Sequence, residues 1–210
     1  MKAIIIVAAF LCSLNLLSQG FQGHADFTAY SDSIEKSREE KKTHLLDTVE
    51  GILNSEDLEH FQGANFHPID SSWVISARWK KKRGPKFEMP TSTERRPVYR
   101  RYGYVYFEKD GKSHRLTVYQ NVALTQKEGF EDYLFLPFKD ESCPDLSYGA
   151  GRYLDMKVPK KGKDSVILDF NSAYNPYCAY SHRYSCPIPP AENTLKCSVL
   201  AGEAKPTTEY

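Results

Sequence analysis

The chain has 210 residues, of which 40% are hydrophobic and 13% aromatic, so its length and composition fit one domain with a sizeable core. Its 28 basic and 27 acidic side chains leave a formal net charge of only +1, so no overall field attracts a nucleic acid. A basic turn at residues 80–83 is the main local departure from this balance, and we interpret it as a solvated loop. We therefore expect no nucleic-acid partner.

The first twenty residues are typical of a secretory signal peptide. Lys2 gives a positive start, an almost unbroken apolar run follows through Leu17, and small residues occupy the positions that a signal peptidase reads. The run is shorter than the roughly 20 apolar residues of a membrane span. We expect cleavage after Gly20, with Ala25 as the alternative, and a single mature domain over residues 21–210. Its expected location is the periplasm or the cell exterior, without a stable membrane anchor.

Two helices are predicted ahead of the first strand. Residues 29–46 are rich in helix-forming side chains and contain neither Gly nor Pro. Their few apolar side chains indicate a helix that packs along one edge. The sequence Ser-Glu-Asp-Leu starting at Ser55 predicts a second, short helix that ends near Gly63.

The clearest structural signal is a β-hairpin over residues 99–120. Two runs rich in β-forming residues flank Asp110-Gly111, a dipeptide that favours a two-residue type I′ turn. This turn places Val105 opposite Leu116 on a face directed at the core. The register on the other face pairs Tyr106 with Arg115, Tyr104 with Thr117, and Tyr102 with Tyr119. Such a tyrosine ladder suits either a stacking platform for a sugar or base, or packing beneath another segment.

Shorter strands are predicted before and after the hairpin. Alternating apolar residues indicate a strand from Ser72, and residues 133–138 form a short buried strand in which Pro137 marks an edge or a strand end. A further short strand is predicted near residues 152–155, and residues 165–170 form an apolar run. The expected fold is mainly β, or α+β by element count. It is an antiparallel sheet curled into a roll or small barrel, with helices at the N-terminus.

Several short motifs resemble the bacterial domain-of-unknown-function family numbered 1684. They are EMPTST at 88–93, FLPFKD at 135–140, YGAGRYL at 148–154, DFN at 169–171, YNP at 174–176, CAY at 178–180, CP at 186–187, PP at 189–190, EN at 192–193 and AGE at 201–203. The resemblance covers most of the mature chain and implies one compact domain. It implies no activity, substrate or cofactor, so it assigns no role to any residue.

The stretch 168–193 concentrates tyrosines, prolines and polar side chains, and it is the predicted location of a site. The candidate ligand-binding residues are Arg152, Asp169, Asn171, Tyr174, Asn175 and Glu192. A guanidinium can bind a carboxylate or phosphate with two hydrogen bonds, and tyrosine combines a stacking face with a polar tip. These residues therefore favour a small polar or anionic ligand. The alternative is that the asparagines and Asp169 satisfy backbone groups of a proline-rich segment.

Two other functions are compatible with the same stretch. Asp169 and Glu192 could form a carboxylate pair for general acid–base hydrolysis, with His182 helping to hold a metal. No metal-ligand spacing supports this, so no metal site is predicted, and no cofactor is indicated. The third possibility is a structural module of the cell envelope that has no pocket.

Four cysteines remain after removal of the signal peptide, which is an even number for an oxidising compartment. Cys178 and Cys186 are close in sequence, so we predict a disulfide between them and a second between Cys143 and Cys197. The alternative is that Cys178 and Cys186 are small, buried thiols.

Overall fold

The computed structural model describes residues 24–47 and 51–207, so the predicted signal peptide lies outside the described residues. Helix α1 spans His24–Leu46 and helix α2 spans Ser55–His60. Helix α1 buries Tyr30, Ile34 and Leu45 and exposes most of its other side chains, as expected for packing along one edge. No helix within the described ranges is long and apolar enough to cross a membrane.

A reciprocal cap explains where α2 begins. The side chain of Asn54 accepts a hydrogen bond from the Asp57 backbone N–H at 2.8 Å, and the Asp57 carboxylate accepts one from the Asn54 N–H at 3.1 Å. Two amides that the helix itself cannot satisfy are thereby paired. The chain becomes extended at Phe61, so the helix ends slightly before the predicted Gly63.

Within the described residues, seven strands form one antiparallel sheet, curled into a half-barrel. They are β1 (Val74–Lys81), β2 (Lys86–Glu88), β3 (Val98–Lys109), β4 (Lys112–Asn121), β5 (Tyr133–Phe138), β6 (Arg152–Lys157) and β7 (Ser165–Asp169). The strand order is β6-β5-β4-β3-β1-β7, and the short β2 pairs with β3. The predicted mainly β fold with an N-terminal helix is confirmed.

The main core lies on the concave face of this sheet and includes Val105, Phe107, Leu116 and Val118. The predicted hairpin is confirmed, because Val105 opposes Leu116 and both are fully buried. Asp110 and Gly111 form the turn with φ values of 51° and 71°. These left-handed conformations give the turn the twist of its strands, which a hairpin with a two-residue loop requires.

Substitution of Gly111 by valine is expected to lower the free energy of unfolding by about 1–2 kcal/mol, because a β-branched residue resists a left-handed conformation. Urea unfolding followed by tryptophan fluorescence measures the change. Ser113→Val is the control, since Ser113 is exposed in β4 and tolerates a β-forming side chain. Equal stability of Gly111→Val and wild type would contradict the turn geometry.

One part of the predicted register is wrong. Tyr119 opposes Arg101 instead of Tyr102, because a bulge shifts the pairing between Arg101 and Gly103. The bulge lies against Trp79: a Cβ on Gly103 would come within 2.5 Å of the indole ring and 2.7 Å of the Lys80 carbonyl oxygen. Glycine at this position therefore admits the neighbouring strand, and Tyr102 turns into the core.

The remaining tyrosines of the ladder, Tyr104 and Tyr106, are half-buried on the outer face of the sheet. Arginine side chains cover their rings. The guanidinium carbon of Arg78 lies 4.3 Å from the Tyr106 centroid, and those of Arg115 and Arg101 lie 5.1 and 5.2 Å from the Tyr104 centroid. Cation–π contacts thus occupy the ring faces that a stacked base or sugar would need.

An asparagine side chain joins β4 to β5 where the two strands diverge. Their ladder contains one residue pair, Tyr119 with Phe135. Beyond it, Asn193 accepts a hydrogen bond from the Thr117 N–H at 2.8 Å and donates to the carbonyls of Thr117 at 2.8 Å and Pro137 at 2.7 Å. Pro137 has no backbone N–H to donate to a neighbouring strand, so the Asn193 side chain supplies hydrogen bonds near the end of β5.

Candidate functional site

Arg152 is fully buried and belongs to the scaffold. Its guanidinium pairs with Asp140 at 2.9 Å and donates to the carbonyls of Ala201, Val199 and Glu203 at 2.6, 2.7 and 2.9 Å. Residues 199–203 are thus fixed to β6 through the interior. All of these donors are committed inside the protein, so Arg152 cannot also bind an external anion.

Asp169 and Asn171 organise the chain after β7. Asp169 accepts hydrogen bonds from the Asn171 N–H at 3.0 Å and from the Tyr30 hydroxyl at 2.8 Å, which ties α1 to the sheet. Asn171 pairs with the backbone of Asp70 through its carbonyl at 2.9 Å and its amide at 2.8 Å. Burial raises the pKa of the Asp169 carboxyl, although its hydrogen bonds oppose that shift.

The two side chains do not share the face of an extended strand. Strand β7 ends at Asp169, and a 3-10 turn over Phe170–Ser172 follows. Phe170 is fully buried in the core. The backbone is therefore no longer extended after residue 169, so Asp169 and Asn171 are not aligned by a strand.

Asn175 lies beside a buried carboxylate that sequence reasoning missed. Its backbone N–H donates to Glu203 at 2.7 Å, and its side chain donates to the Ala204 carbonyl at 2.8 Å. The Tyr180 hydroxyl also donates to Glu203, at 2.9 Å, and Lys41 of α1 forms an ion pair with it. This cluster docks α1 and the C-terminal segment against the stretch that follows β7.

The two proposed catalytic carboxylates have different partners. Glu192 accepts a hydrogen bond from the Tyr119 hydroxyl at 2.7 Å, and this bond lowers the pKa of the carboxyl. Asp169 contacts Tyr30 and Asn171 instead, and His182 is exposed. Within residues 24–47 and 51–207, no three His, Cys, Asp or Glu side chains are grouped to hold a metal ion.

Tyr174 belongs to a different set of residues, which converge on Asp155. The hydroxyls of Tyr133 and Tyr174 both donate to one oxygen of the Asp155 carboxylate at 2.6 Å. Burial, reinforced by the adjacent Asp155, raises the pKa of both phenols, so they stay protonated as donors. The carboxylate itself is exposed and can accept a further hydrogen bond.

These tyrosines line a cleft of about 200 Å³ on the outer face of the sheet. Its walls are aromatic side chains, prolines and one thiol: Tyr99, Leu124, Tyr133, Phe135, Tyr153, Tyr174, Pro176, Tyr177, Cys186 and Pro187. Edge-to-face contacts hold the floor, with ring centroids 4.7 Å apart for Phe135 and Tyr153 and 5.7 Å apart for Tyr153 and Tyr174. The Tyr153 hydroxyl donates to the Pro187 carbonyl and fixes the opposite wall.

Neither predicted disulfide is present, since Cys143, Cys178, Cys186 and Cys197 are all free thiols. The sulfur of Cys186 accepts a hydrogen bond from the Cys178 backbone N–H at 3.3 Å. Cys143 lies 3.9 Å from an Asp140 carboxylate oxygen. Both members of the first pair are half-buried, close to the alternative that the sequence allowed.

The six sequence-predicted residues thus do not surround one concavity. Tyr174 alone lines the cleft, and Arg152 and Asn175 meet at the buried Glu203 segment. Asp155 and Tyr133 were missed. The motifs FLPFKD and YGAGRYL lie next to these two residues in sequence, and they could have pointed to them. The pairing of β5 with β6 sets Asp155 opposite Phe135.

Comparison with known proteins places this arrangement in a family. The model of a family described as protein of unknown function (DUF1684) matches residues 59–204, a range that contains every residue lining the cleft. The chain is similar to the solution NMR structure of an uncharacterized protein from gene locus rrnAC0354 of Haloarcula marismortui. The two are 28% identical with a TM-score of 0.63, over 87% of this chain and 97% of that one. No curated protein matches the sequence. The chain belongs to the DUF1684 family.

Proposed function

We propose that this domain binds a small polar molecule in the tyrosine cleft. The observation that carries the proposal is that two phenols lining the cleft, those of Tyr133 and Tyr174, converge on the exposed Asp155 carboxylate behind them. A concave, mostly apolar surface with a few fixed polar groups is the usual form of a small-molecule site. The volume of about 200 Å³ is below the usual range for drug-sized ligands, so a single ring fits best.

The charges around the cleft favour a ligand with a donor group over an anion. Asp155 is negative, and its two tyrosine partners already donate to it. Arg152, the cation expected to recognise an anion, is committed to Asp140 and three carbonyls in the interior. We therefore propose an aromatic ring carrying an ammonium or another hydrogen-bond donor directed at Asp155.

The two alternative functions have less support. A carboxylate-pair hydrolase needs Asp169 and Glu192 to face one substrate, whereas each is held by a different tyrosine. A structural module without a pocket does not account for an aromatic cleft that opens beside the exposed Tyr177.

Tyramine is the probe for the cleft, and 4-hydroxyphenylacetate, which has the same ring but opposite charge, is its control. We expect tyramine to shift the NMR resonances of the cleft tyrosines, and the anion to leave them unchanged. Asp155→Asn keeps an acceptor for both phenols but removes the charge, so tyramine binding should weaken about tenfold, which corresponds to about 1.4 kcal/mol. Asp145→Asn removes an exposed carboxylate that is not the acceptor of Tyr133 or Tyr174, and it should have no effect. Equal binding of the two phenols, or binding of neither, would contradict the proposal.

We also propose that residues 1–20 direct export, which places the mature domain in the periplasm or outside the cell. The support is the sequence pattern of a positive start, an apolar run and small residues near Gly20. Intact-mass spectrometry of protein from its native cells is expected to show a chain that begins at Phe21, or at Asp26 if the second site is used. Recovery of the chain with Met1 still in place would contradict export.

A further inference from the structure

Cys178 and Cys186 form a thiol pair beside the cleft. Cys178 lies in the 3-10 turn Tyr177–Ala179, and Cys186 immediately precedes Pro187. The Cys178 backbone N–H donates to the Cys186 sulfur at 3.3 Å, which sets the two side chains side by side. Both residues are half-buried, and Cys186 also lines the cleft. The two sulfurs are thus adjacent, reduced and next to an opening.

Contacts with a separate loop fix the position of Cys186. Its N–H donates to the Ser92 hydroxyl at 3.1 Å, and its carbonyl accepts a hydrogen bond from the Ser92 N–H at 2.9 Å. Pro176 and Pro187 restrict the backbone on either side of the pair. The pairing is therefore preorganised by the fold instead of depending on a chance approach of two mobile thiols.

The surroundings make the two thiols unequal. The hydrogen bond from Cys186 lowers the pKa of the Cys178 thiol to about 7, and Ser92 and Tyr148 add to that effect. The same bond raises the pKa of Cys186. The other titratable groups that act on the pair are Tyr153, Tyr177 and Arg95, and only Arg95 carries a positive charge.

The other two cysteines provide a contrast within the same chain. Burial raises the pKa of the thiols of Cys143 and Cys197, so neither is a ready nucleophile at neutral pH. A thiol that is substantially ionised near pH 7 is close to the optimum for attack on a disulfide. Reactivity is therefore concentrated at Cys178.

We propose that Cys178 and Cys186 are a redox-active dithiol that reduces small disulfides by thiol–disulfide exchange. The Cys178 thiolate attacks one sulfur of the substrate disulfide, forming a mixed disulfide and releasing the first substrate thiol as a thiolate, which takes up a proton. Cys186 then loses its proton and attacks the Cys178 sulfur, and the second substrate thiol leaves. The net result is one protein disulfide and two substrate thiols, so the substrate gains the two electrons and two protons that the dithiol loses. This activity does not depend on whether the cleft binds a ring-shaped ligand.

Oxidised glutathione is the test substrate, added at pH 7 to the reduced, purified protein, with free thiols then blocked by iodoacetamide and mapped by mass spectrometry. Wild type is expected to release two molecules of glutathione per chain and to yield a linked Cys178–Cys186 peptide. Cys186→Ser keeps a hydroxyl beside Cys178 and should stop at a mixed disulfide on Cys178. Cys178→Ser should lower the rate of the reaction at least tenfold. Cys143 and Cys197 are internal controls and should be recovered as free thiols when the protein is blocked with iodoacetamide after denaturation at alkaline pH.

The dependence of the cysteine alkylation rates on pH gives an independent measurement in the wild-type protein. Alkylation of Cys178 in wild type should rise to half its maximal rate near pH 7, while Cys143 and Cys197 should require a more alkaline solution. Reaction of all four cysteines at similar rates, or the absence of a mixed disulfide in Cys186→Ser, would overturn the proposal. If the protein reduces oxidised glutathione but does not bind tyramine, only the proposed ligand site is contradicted, and the redox proposal stands.

Discussion

Replacement of Arg152 by methionine is expected to lower the free energy of unfolding by about 3–5 kcal/mol, the range for breaking a buried ion pair by removal of one partner. Methionine fills a similar volume but leaves the Asp140 carboxylate buried without its cation. It also removes the donors to the carbonyls of Val199, Ala201 and Glu203. The loss thus combines an unpaired charge with three buried acceptors.

Urea unfolding followed by the fluorescence of the buried Trp73 and Trp79 measures this loss. Arg78→Met is the matched control, because Arg78 is exposed and its principal contact is with the Tyr106 ring. That change should cost no more than about 1 kcal/mol. Arg152→Lys keeps the charge but not the planar fork, so its stability should fall between those of wild type and Arg152→Met. Similar losses for Arg152→Met and Arg78→Met would show that the interior network contributes little.

Asn193→Ala is expected to cost about 3 kcal/mol, because three buried hydrogen bonds are lost at about 1 kcal/mol each. The substitution leaves the N–H and carbonyl of Thr117 and the carbonyl of Pro137 without partners where β4 and β5 separate. Hydrogen exchange of the Thr117 amide should accelerate together with the fall in the urea midpoint, since its acceptor is the asparagine side chain.

Two variants test whether this loss comes from the buried bridge. Asn65→Ala removes an exposed asparagine that also bonds a distant backbone carbonyl, that of Lys205 at 3.1 Å, and should cost less than about 1 kcal/mol. Asn193→Asp has the same shape as asparagine but sets a carboxylate against two carbonyls, so it should be at least as destabilising as Asn193→Ala. A stable Asn193→Asp protein would contradict the assigned hydrogen bonds.

Local chemistry was sufficient to predict the hairpin, but not the contacts between distant strands. Asp110 and Gly111 set the turn, and the register followed as far as Gly103. There the indole of Trp79, on a neighbouring strand, requires glycine and a bulge, and no pattern within β3 reveals this contact. Alternation along β3 therefore predicted a straight ladder.

The candidate site was predicted less completely for the same reason. An Asp-x-Asn spacing sets both side chains on one face only in an extended chain, whereas the side chain of Asp169 caps a turn that begins at the next residue. The partners of Arg152 are carbonyls about 50 residues later in the chain, which no spacing argument indicates. The cleft depends on the pairing of β5 with β6, which sets Tyr133 and Asp155 within reach of Tyr174.

The buried attachment of residues 199–203 has a consequence for how the chain folds. Until this segment arrives, Arg152 lacks three of its acceptors, and Asn175 and Lys41 lack the Glu203 carboxylate. A nascent chain that has emerged only as far as β7 therefore contains every strand of the sheet but cannot close its interior or dock α1 through Glu203. Contacts this distant in sequence slow folding, because the long intervening loop must be ordered first. Closure of the domain is thus a late event that waits for residues 199–203.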